Sequence, residues 1–326
     1  MVAPVGPGVV ARRVLVIGAA GMIGRKLCLR LAGETGELIQ HDVVPFEGAS
    51  VVSDLSAPGA AEKLVASRPD LIFHLAAVVS GEAEADFEKG YRVNLDGTRR
   101  LFEAIRKENY RPRVVFTSSI AVFGAPFPEA IGDEFLSAPL TSYGTQKAVC
   151  ELLLSDYSRR GLFDGIGIRL PTICVRPGKP NKAASGFFSG IIREPLAGQE
   201  AVLPVPEAVR HWFASPRAAV GFLQHAATLE TAKLGNRRNL SMPGVAATVG
   251  EQIAALRKVA GEKAVRLIRR DPDATVARIV EGWPRNFAAQ RATALGFRAD
   301  RSFEEIIRVH IEDELQGKPQ PRAGSG

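Results

Sequence analysis

The chain has 326 residues, of which 46% are hydrophobic and 24% charged, and 42 Lys and Arg against 35 Asp and Glu give a formal net charge of +7. That length suits one large α/β domain with a smaller appendage, and no apolar run approaches the roughly 18 residues that span a bilayer. The basic pairs Arg159-Arg160, Arg237-Arg238, Arg257-Lys258 and Arg269-Arg270 lie scattered and aromatics make up only 7%, so a small anionic ligand is expected and nucleic acid is not. Cys28, Cys150 and Cys174 sit in apolar patterns, and an odd count argues against a disulfide framework and fits a reducing cytoplasm. The five histidines show no ligand spacing, so no metal is expected. Residues 1–11 and 316–326 read as disordered tails, the first without the basic start of a secretion signal.

In chain order, Val14-Leu-Val-Ile17 predicts a strand buried on both faces, followed by glycines at 18, 21 and 24 and by Ile23, Leu27 and Leu31 at helical spacing. Strand, glycine turn and helix make a dinucleotide fingerprint. Gly18 permits the turn, Gly21 lets the backbone approach a pyrophosphate, and Gly24 lets helix and strand pack closely. Met22 and Ile23 then supply N–H groups at the positive end of the helix. Leu38-Ile-Gln-His-Asp42 reads as a second strand whose terminal acid is placed to accept the adenosine ribose hydroxyls of NAD and to repel the 2′-phosphate of NADP. Val51-Val-Ser-Asp54-Leu55 is a short third strand where an adenine can rest. A helix over 60–67 precedes a fourth strand, Leu71 to Val78, with Leu75, Ala76 and Ala77 small or apolar enough to let a cofactor pass, and Ser80 at the same edge.

A helix across 87–107 carries Asn94 in its interior, where a mediocre helix former suggests a bond to backbone near a site. Arg113 to Ser119 is the fifth strand and ends in three hydroxyls. An irregular stretch with Pro126, Pro128 and Pro139 leads to a helix opening at Thr141-Ser-Tyr143 and running to Arg160. Gly165 to Leu170 is a sixth strand that Pro171 ends. From Val175 the βα alternation breaks, Ala183–Pro206 reads as short elements, and helices follow over 217–228, 248–259 and 303–315. The expected organisation is a doubly wound parallel sheet of Rossmann type over 12–175, to which 206–240 returns, with a small C-terminal α/β substrate-binding cap from 176–205 and 241–315.

Tyr143 and Lys147 are one helical turn apart and share a face. A free tyrosine has a pKa near 10, and bringing it to about 7 requires roughly 4 kcal/mol. One ammonium about 5 Å away at an effective dielectric near 20 supplies about 3 kcal/mol. Lys147 is thus expected to activate Tyr143 as a base and to bond a ribose as well. Ser119, at the strand end, is placed to polarise the reacting oxygen, with Ser118 beside it. For a substrate carboxylate the candidates are Arg176, Asn181, Lys182, Arg193 and Arg210, arginine because it pairs bidentately.

Gly18-x-x-Gly21-x-x-Gly24, Asp54-Leu55, His74-Leu-Ala-Ala77, Asn94, Ser118-Ser119-Ile-Ala-Val-Phe-Gly124 and Tyr143-x-x-x-Lys147 resemble the extended short-chain dehydrogenase/reductases, the NAD-dependent epimerase/dehydratase family. By that resemblance Tyr143 is the proton acceptor, Lys147 holds the nicotinamide ribose, Ser119 polarises the substrate, and Leu170-Pro-Thr172 passes the nicotinamide carboxamide. Ala76 to Phe87, Pro171 to Ala184, Ile191-Ile-Arg-Glu-Pro195 and Ser215-Pro-Arg217 are further similar to the D-erythronate dehydrogenase branch, which oxidises the 2-hydroxyl of a four-carbon sugar acid with NAD⁺. Two departures separate the chain from the sugar-nucleotide branch. Ser119-Ile120 stands where dehydratases carry an acid pair, and Arg210 to Pro216 lacks the aspartates that follow the arginine in epimerases. The resemblance implies a cytoplasmic homodimer or higher homo-oligomer acting on a small anionic sugar acid. The open alternatives are a nucleotide-sugar epimerase with retained NAD, a uronate dehydrogenase, and an NAD-sensing regulator without chemistry.

Overall fold

The computed structural model describes residues 13–178 and 185–315. The central strands, in chain order, are β1 (Arg13–Ile17), β2 (Glu37–Asp42), β3 (Val51–Val52), β4 (Leu71–His74), β5 (Arg113–Ser119), β6 (Asp164–Leu170) and β7 (Asn239–Ser241). They form one parallel sheet in the order β7-β6-β5-β4-β1-β2-β3. The helices include α1 (Met22–Leu31), α2 (Ala60–Val65), α3 (Gly97–Lys107), α4 (Ser142–Arg159), α5 (Gly186–Leu196), α6 (Pro216–Thr228), α7 (Val249–Ala260), α8 (Ala274–Glu281) and α9 (Phe303–Glu314), besides shorter helical turns.

Strand alternation sorts the core into two layers. Val14, Val16, Phe73 and Ile166 face α1 and α6, while Leu15, Ile17, Ile72 and Phe116 face α2, α3 and α4. Both faces are therefore covered, which is why the strands read as unbroken apolar runs. Helix α6 starts where Ser215 Oγ accepts from the Ala218 N–H and Pro216 occupies the first turn. It packs on the sheet against β5 and β6.

The cap forms a separate apolar cluster that joins α5, α7 and α9 through Phe188, Ile192, Ile253, Leu256, Ile306 and Ile307. Helix α7 is fixed by a capping box, with Thr248 Oγ1 accepting from Glu251 N–H and the Glu251 carboxylate accepting from Thr248 N–H. A three-stranded sheet, Val245–Thr248, Arg210–Ala214 and Thr172–Ile173, connects the cap to the end of β6.

Several elements differ from the sequence reading. The third strand stops at Val52, and Ser53 onward turns away. The helix across 87–107 is broken by a π-helical stretch, Tyr91–Asp96, around Asn94. The segment read as short elements holds the eleven-residue α5: Gly186, Gly190 and Pro195 weaken its propensity, but full burial of Phe188, Ile191 and Ile192 decides in its favour. The sheet also gains β7, three residues long. Among the described residues no helix is long and apolar enough to cross a membrane.

Candidate active site

Strand order reverses at β1, so a crevice opens outside the carboxyl ends of β1 and β4. Gly18 leaves β1 at φ +93°, and its N–H and that of Ala19 donate to the His41 carbonyl at 2.9 and 3.0 Å. A Cβ on Gly18 would lie 2.6 Å from Ala76 N, and one on Gly24 would lie 2.1 Å from Gly18 O. Both glycines are thus required by the close passage of turn, helix and β4. Gly21 is the N-cap of α1, Met22 and Ile23 form its first turn, and no described side chain caps that end. Its first-turn N–H groups and positive dipole end thus have no side-chain acceptor among the described residues, an arrangement that suits an anion.

At the end of β2 the Asp42 carboxylate accepts from Ala20 N–H at 2.9 Å and from Val43 N–H at 2.7 Å. It stands beside the glycine turn. The neighbouring His41 imidazole is buried and bonded to Ser53 Oγ at 2.9 Å. Asp54 is engaged by Ser56 Oγ and by Arg92, each at 2.6 Å. Burial alone would raise its carboxyl, but these bonds outweigh it and hold the group below the usual carboxylate range. Leu55 is buried in the layer shared with α2 and α3. Asn94 has both amide ends on one residue: Oδ1 accepts from Val78 N–H at 2.8 Å, and Nδ2 donates to Val78 O at 2.9 Å and to Gln146 Oε1 at 2.7 Å. It fixes the segment after β4, where Leu75 and Ala76 both donate N–H to the Ile17 carbonyl.

A cleft of about 730 Å³ opens over β4, β5 and β6. Leu75, Ala77, Ser80, Ser118, Ser119, Tyr143, Lys147, Pro171, Thr172 and Arg176 all line it. So do Thr117, Phe123, His211 and Trp283, which the sequence reading did not assign. Ser119 Oγ accepts from Ala121 N–H at 3.1 Å and lies near enough to the Tyr143 hydroxyl to favour its ionised form. Ser118 faces inward, its hydroxyl donating at 2.6 Å to Glu151, which Arg169 holds bidentately. Alternation along β5 explains the split: Ser119 is presented to the cleft and Ser118 to the buried pair.

Lys147 is buried, and its Nζ donates to Thr117 O at 2.9 Å and lies 4.7 Å above the Phe116 ring. Burial lowers its pKa to about 8. Tyr143 behaves otherwise than expected. Burial raises its phenol above the ordinary value, and the influences that lower it are the Ser119 hydroxyl and the Arg176 charge, not Lys147. The Lys147 Nζ, held at the Thr117 carbonyl, lies 5.8 Å from the centre of the Tyr143 ring.

The substrate candidates separate clearly. Arg176 lines the cleft, with Nε donating to Ile173 O at 3.2 Å and no acidic partner among the described residues; residues 179–184 contain no acid either. Arg193 lies behind it, donating to the Arg176 carbonyl at 2.7 Å and to Glu194. Arg210 is outside the cleft and pairs with Glu251 at 3.4 Å. Positions 210 and 211 point to opposite sides of their strand, so His211 faces the cleft and Arg210 cannot. Asn181 and Lys182 lie outside the described residues. His211 is missed by a search for metal spacing, and Arg210-His-Trp-Phe-Ala214 shows no alternation, being buried at every position but Arg210. Trp283 was signalled only by the Gly-Trp-Pro turn that holds it.

The model for the NAD dependent epimerase/dehydratase family matches residues 14–233. The D-erythronate dehydrogenase of Cupriavidus necator is 47% identical over 317 residues, covering 92% of this chain and 98% of that protein. The D-erythronate dehydrogenase of Haemophilus influenzae is 41% identical over 93% of this chain and all of its own length. A crystal structure described as the nucleoside-diphosphate-sugar epimerase of Agrobacterium tumefaciens is 64% identical, with a TM-score of 0.92 over 98% of this chain and 100% of that one. The chain belongs to the NAD-dependent epimerase/dehydratase family and is an oxidoreductase enzyme built on its Rossmann-type sheet.

Proposed function

We propose that the protein oxidises the 2-hydroxyl of a small, D-erythronate-like sugar acid to the 2-oxo acid with NAD⁺. The single observation that carries this reading is Arg176: a guanidinium set into the cleft without an acidic partner, near enough to the Tyr143 hydroxyl for their charges to interact. A carboxylate held there places the adjacent carbon beside Ser119 and Tyr143, and a carboxylate bonded by arginine is the strong, directional kind. The names of the two relatives at 47% and 41% identity support the same substrate class.

The dinucleotide would be held by Gly18, Gly21, Met22, Ile23 and Gly24 at the phosphates, and by Asp42 at the adenosine ribose. Asp54 and Leu55 would lie beside the adenine, and Leu75, Ala76, Ala77, Asn94, Tyr143, Lys147, Pro171 and Thr172 along the nicotinamide half. Bound there, the nicotinamide would supply the hydride acceptor for C2. Tyr143 takes the hydroxyl proton, Ser119 donates to the oxygen as it becomes a carbonyl, and Lys147 can turn from Thr117 O toward the ribose and supply charge to the phenol. Residues 12–175 with 206–240 serve as the NAD-binding part, and 176–205 with 241–315 as the substrate cap. Ser80 completes the cleft edge.

The test is a panel of C4 to C6 aldonates and uronates with added NAD⁺, followed by NADH absorbance. Turnover strongest on a four-carbon aldonate is expected, whereas preference for a uronate moves the assignment to uronate oxidation. A second reading has a specific observation behind it, the epimerase description of the 64% identical structure. An epimerase keeps its NAD and gives no net NADH with any acid, so silence across the panel favours it.

A further inference from the structure

We propose that His211 Nε2 accepts the hydrogen bond of the Thr172 hydroxyl and thereby leaves Thr172 Oγ1 as a hydrogen-bond acceptor that selects a donor group in the cleft. This rests on the reading of the cleft as a substrate site and deepens it. The two side chains are 2.6 Å apart, Thr172 Oγ1 to His211 Nε2, and both line the cleft. Such a contact allows either direction of donation, so the ring tautomer decides what Thr172 offers.

The surroundings of the ring fix that tautomer. Its other nitrogen, Nδ1, is buried and makes no hydrogen bond of normal geometry to a described residue. The backbone group beside the ring belongs to Pro284, and proline carries a carbonyl but no N–H. A carbonyl only accepts, so the ring proton is favoured on Nδ1, which leaves Nε2 as an acceptor. Phe188 stacks on the imidazole, with centroids 5.2 Å apart and planes within 2°, and Phe213 meets it edge-on at 5.3 Å. These rings hold the imidazole plane in place, so the ring cannot flip and carry Nε2 away from Thr172 without unpacking its aromatic neighbours.

With its only O–H donating to His211, Thr172 keeps just its lone pairs for the cleft. It can bond an O–H or an amide N–H, and it repels a carboxylate. Arg176, four residues on, takes the opposite charge. Together the two sort a polyhydroxy acid by its ends, carboxylate at Arg176 and hydroxyl at Thr172. The donor is either a hydroxyl of the acid beyond C2 or the carboxamide of the cofactor, and the measurements below tell the two apart.

The experiment compares wild type, His211→Phe, His211→Gln and Thr172→Val on paired 2-hydroxy acids with and without further hydroxyls, and measures NAD affinity for each. A site built to bond a hydroxyl rejects the analogue lacking it far more strongly than one that merely fits it. The Phe and Val variants are expected to lose about tenfold of the preference for the hydroxylated acid if the substrate is the donor, or about tenfold in NAD affinity if the carboxamide is. His211→Gln, whose amide oxygen can accept from Thr172, should restore most of the loss. Preference and NAD affinity both unchanged in His211→Phe and Thr172→Val overturn the proposal. Independently of turnover, nitrogen NMR of the ring should show His211 protonated at Nδ1, and protonation at Nε2 overturns it. If no acid reacts at all, the functional reading fails while the NMR result and NAD affinity still decide this one.

Discussion

The two walls of the cleft are built differently. On the sheet side, Ser118, Lys147 and Asn94 already have their hydrogen bonds inside the protein, to Glu151, Thr117 O and Val78. On the facing wall, Arg176 of the cap has no acidic partner and His211, on the connecting strand Arg210–Ala214, makes no normal bond at Nδ1, each among the described residues. The sheet wall is a finished framework that holds reacting groups at fixed positions, as a preorganised catalytic site requires. The cap wall holds polar groups whose partners a ligand can supply. Chemistry belongs to the first wall and selection to the second, and substitutions on the two should therefore split kcat from KM.

The largest effect is expected on the sheet wall. Tyr143→Phe should lower kcat by a factor on the order of 10² to 10⁴, the usual worth of a positioned base, with NAD binding retained. Turnover like wild type would remove Tyr143 from the proton step. On the cap wall, Arg176→Leu should raise KM for the acid roughly ten- to a hundredfold, as loss of a charged hydrogen-bond partner costs about 1.5–3 kcal/mol. An equal fall in kcat with KM unchanged would mean that Arg176 serves the phenol and not the substrate.

Asp42 lies on the sheet side but selects a ligand, so it probes where the division stops. Asp42→Ala should raise KM for NAD about tenfold or more and narrow the gap to NADP. His41 is bonded to Ser53 and is not available to replace it. Comparable use of both dinucleotides by the wild type would sink the assignment.

The smallest effect concerns stability. Burial lowers the pKa of His74 to about 3 and those of His211 and His310 to about 4. Each folded value lies below the unfolded one near 6.5, so between these values the unfolded chain binds protons that the folded chain does not. Stability is complete above about pH 6.5 and falls as the pH drops toward 4, at up to about 1.4 kcal/mol per unit for each histidine. Thermal melting across that range should show a falling midpoint, and His310→Phe should make the fall shallower by removing one of the three contributions. A flat profile in the wild type would show that these histidines are not buried in solution.

The sequence by itself determined the glycine turn, five of the strands, the Tyr143–Lys147 helix and the strand-end Ser119. Each is written in local terms: apolar runs, glycine spacing or a single helical turn. It also marked Asn94, because a poor helix former in a helix interior requires a reason that lies nearby. Only the tertiary structure decided the rest. Gly167 and Asn239 are far apart in sequence, yet a Cβ on the glycine would lie 2.0 Å from Asn239 Oδ1, and that close fit allows β7 to pair with β6. Of the five candidates for the carboxylate, strand alternation turned Arg210 outward and packing set Arg193 behind Arg176. The pairing of Thr172 with His211 joins two strands through side chains 39 residues apart. Local pattern reports which groups are present; which of them face the same space depends on burial and register summed over the whole chain.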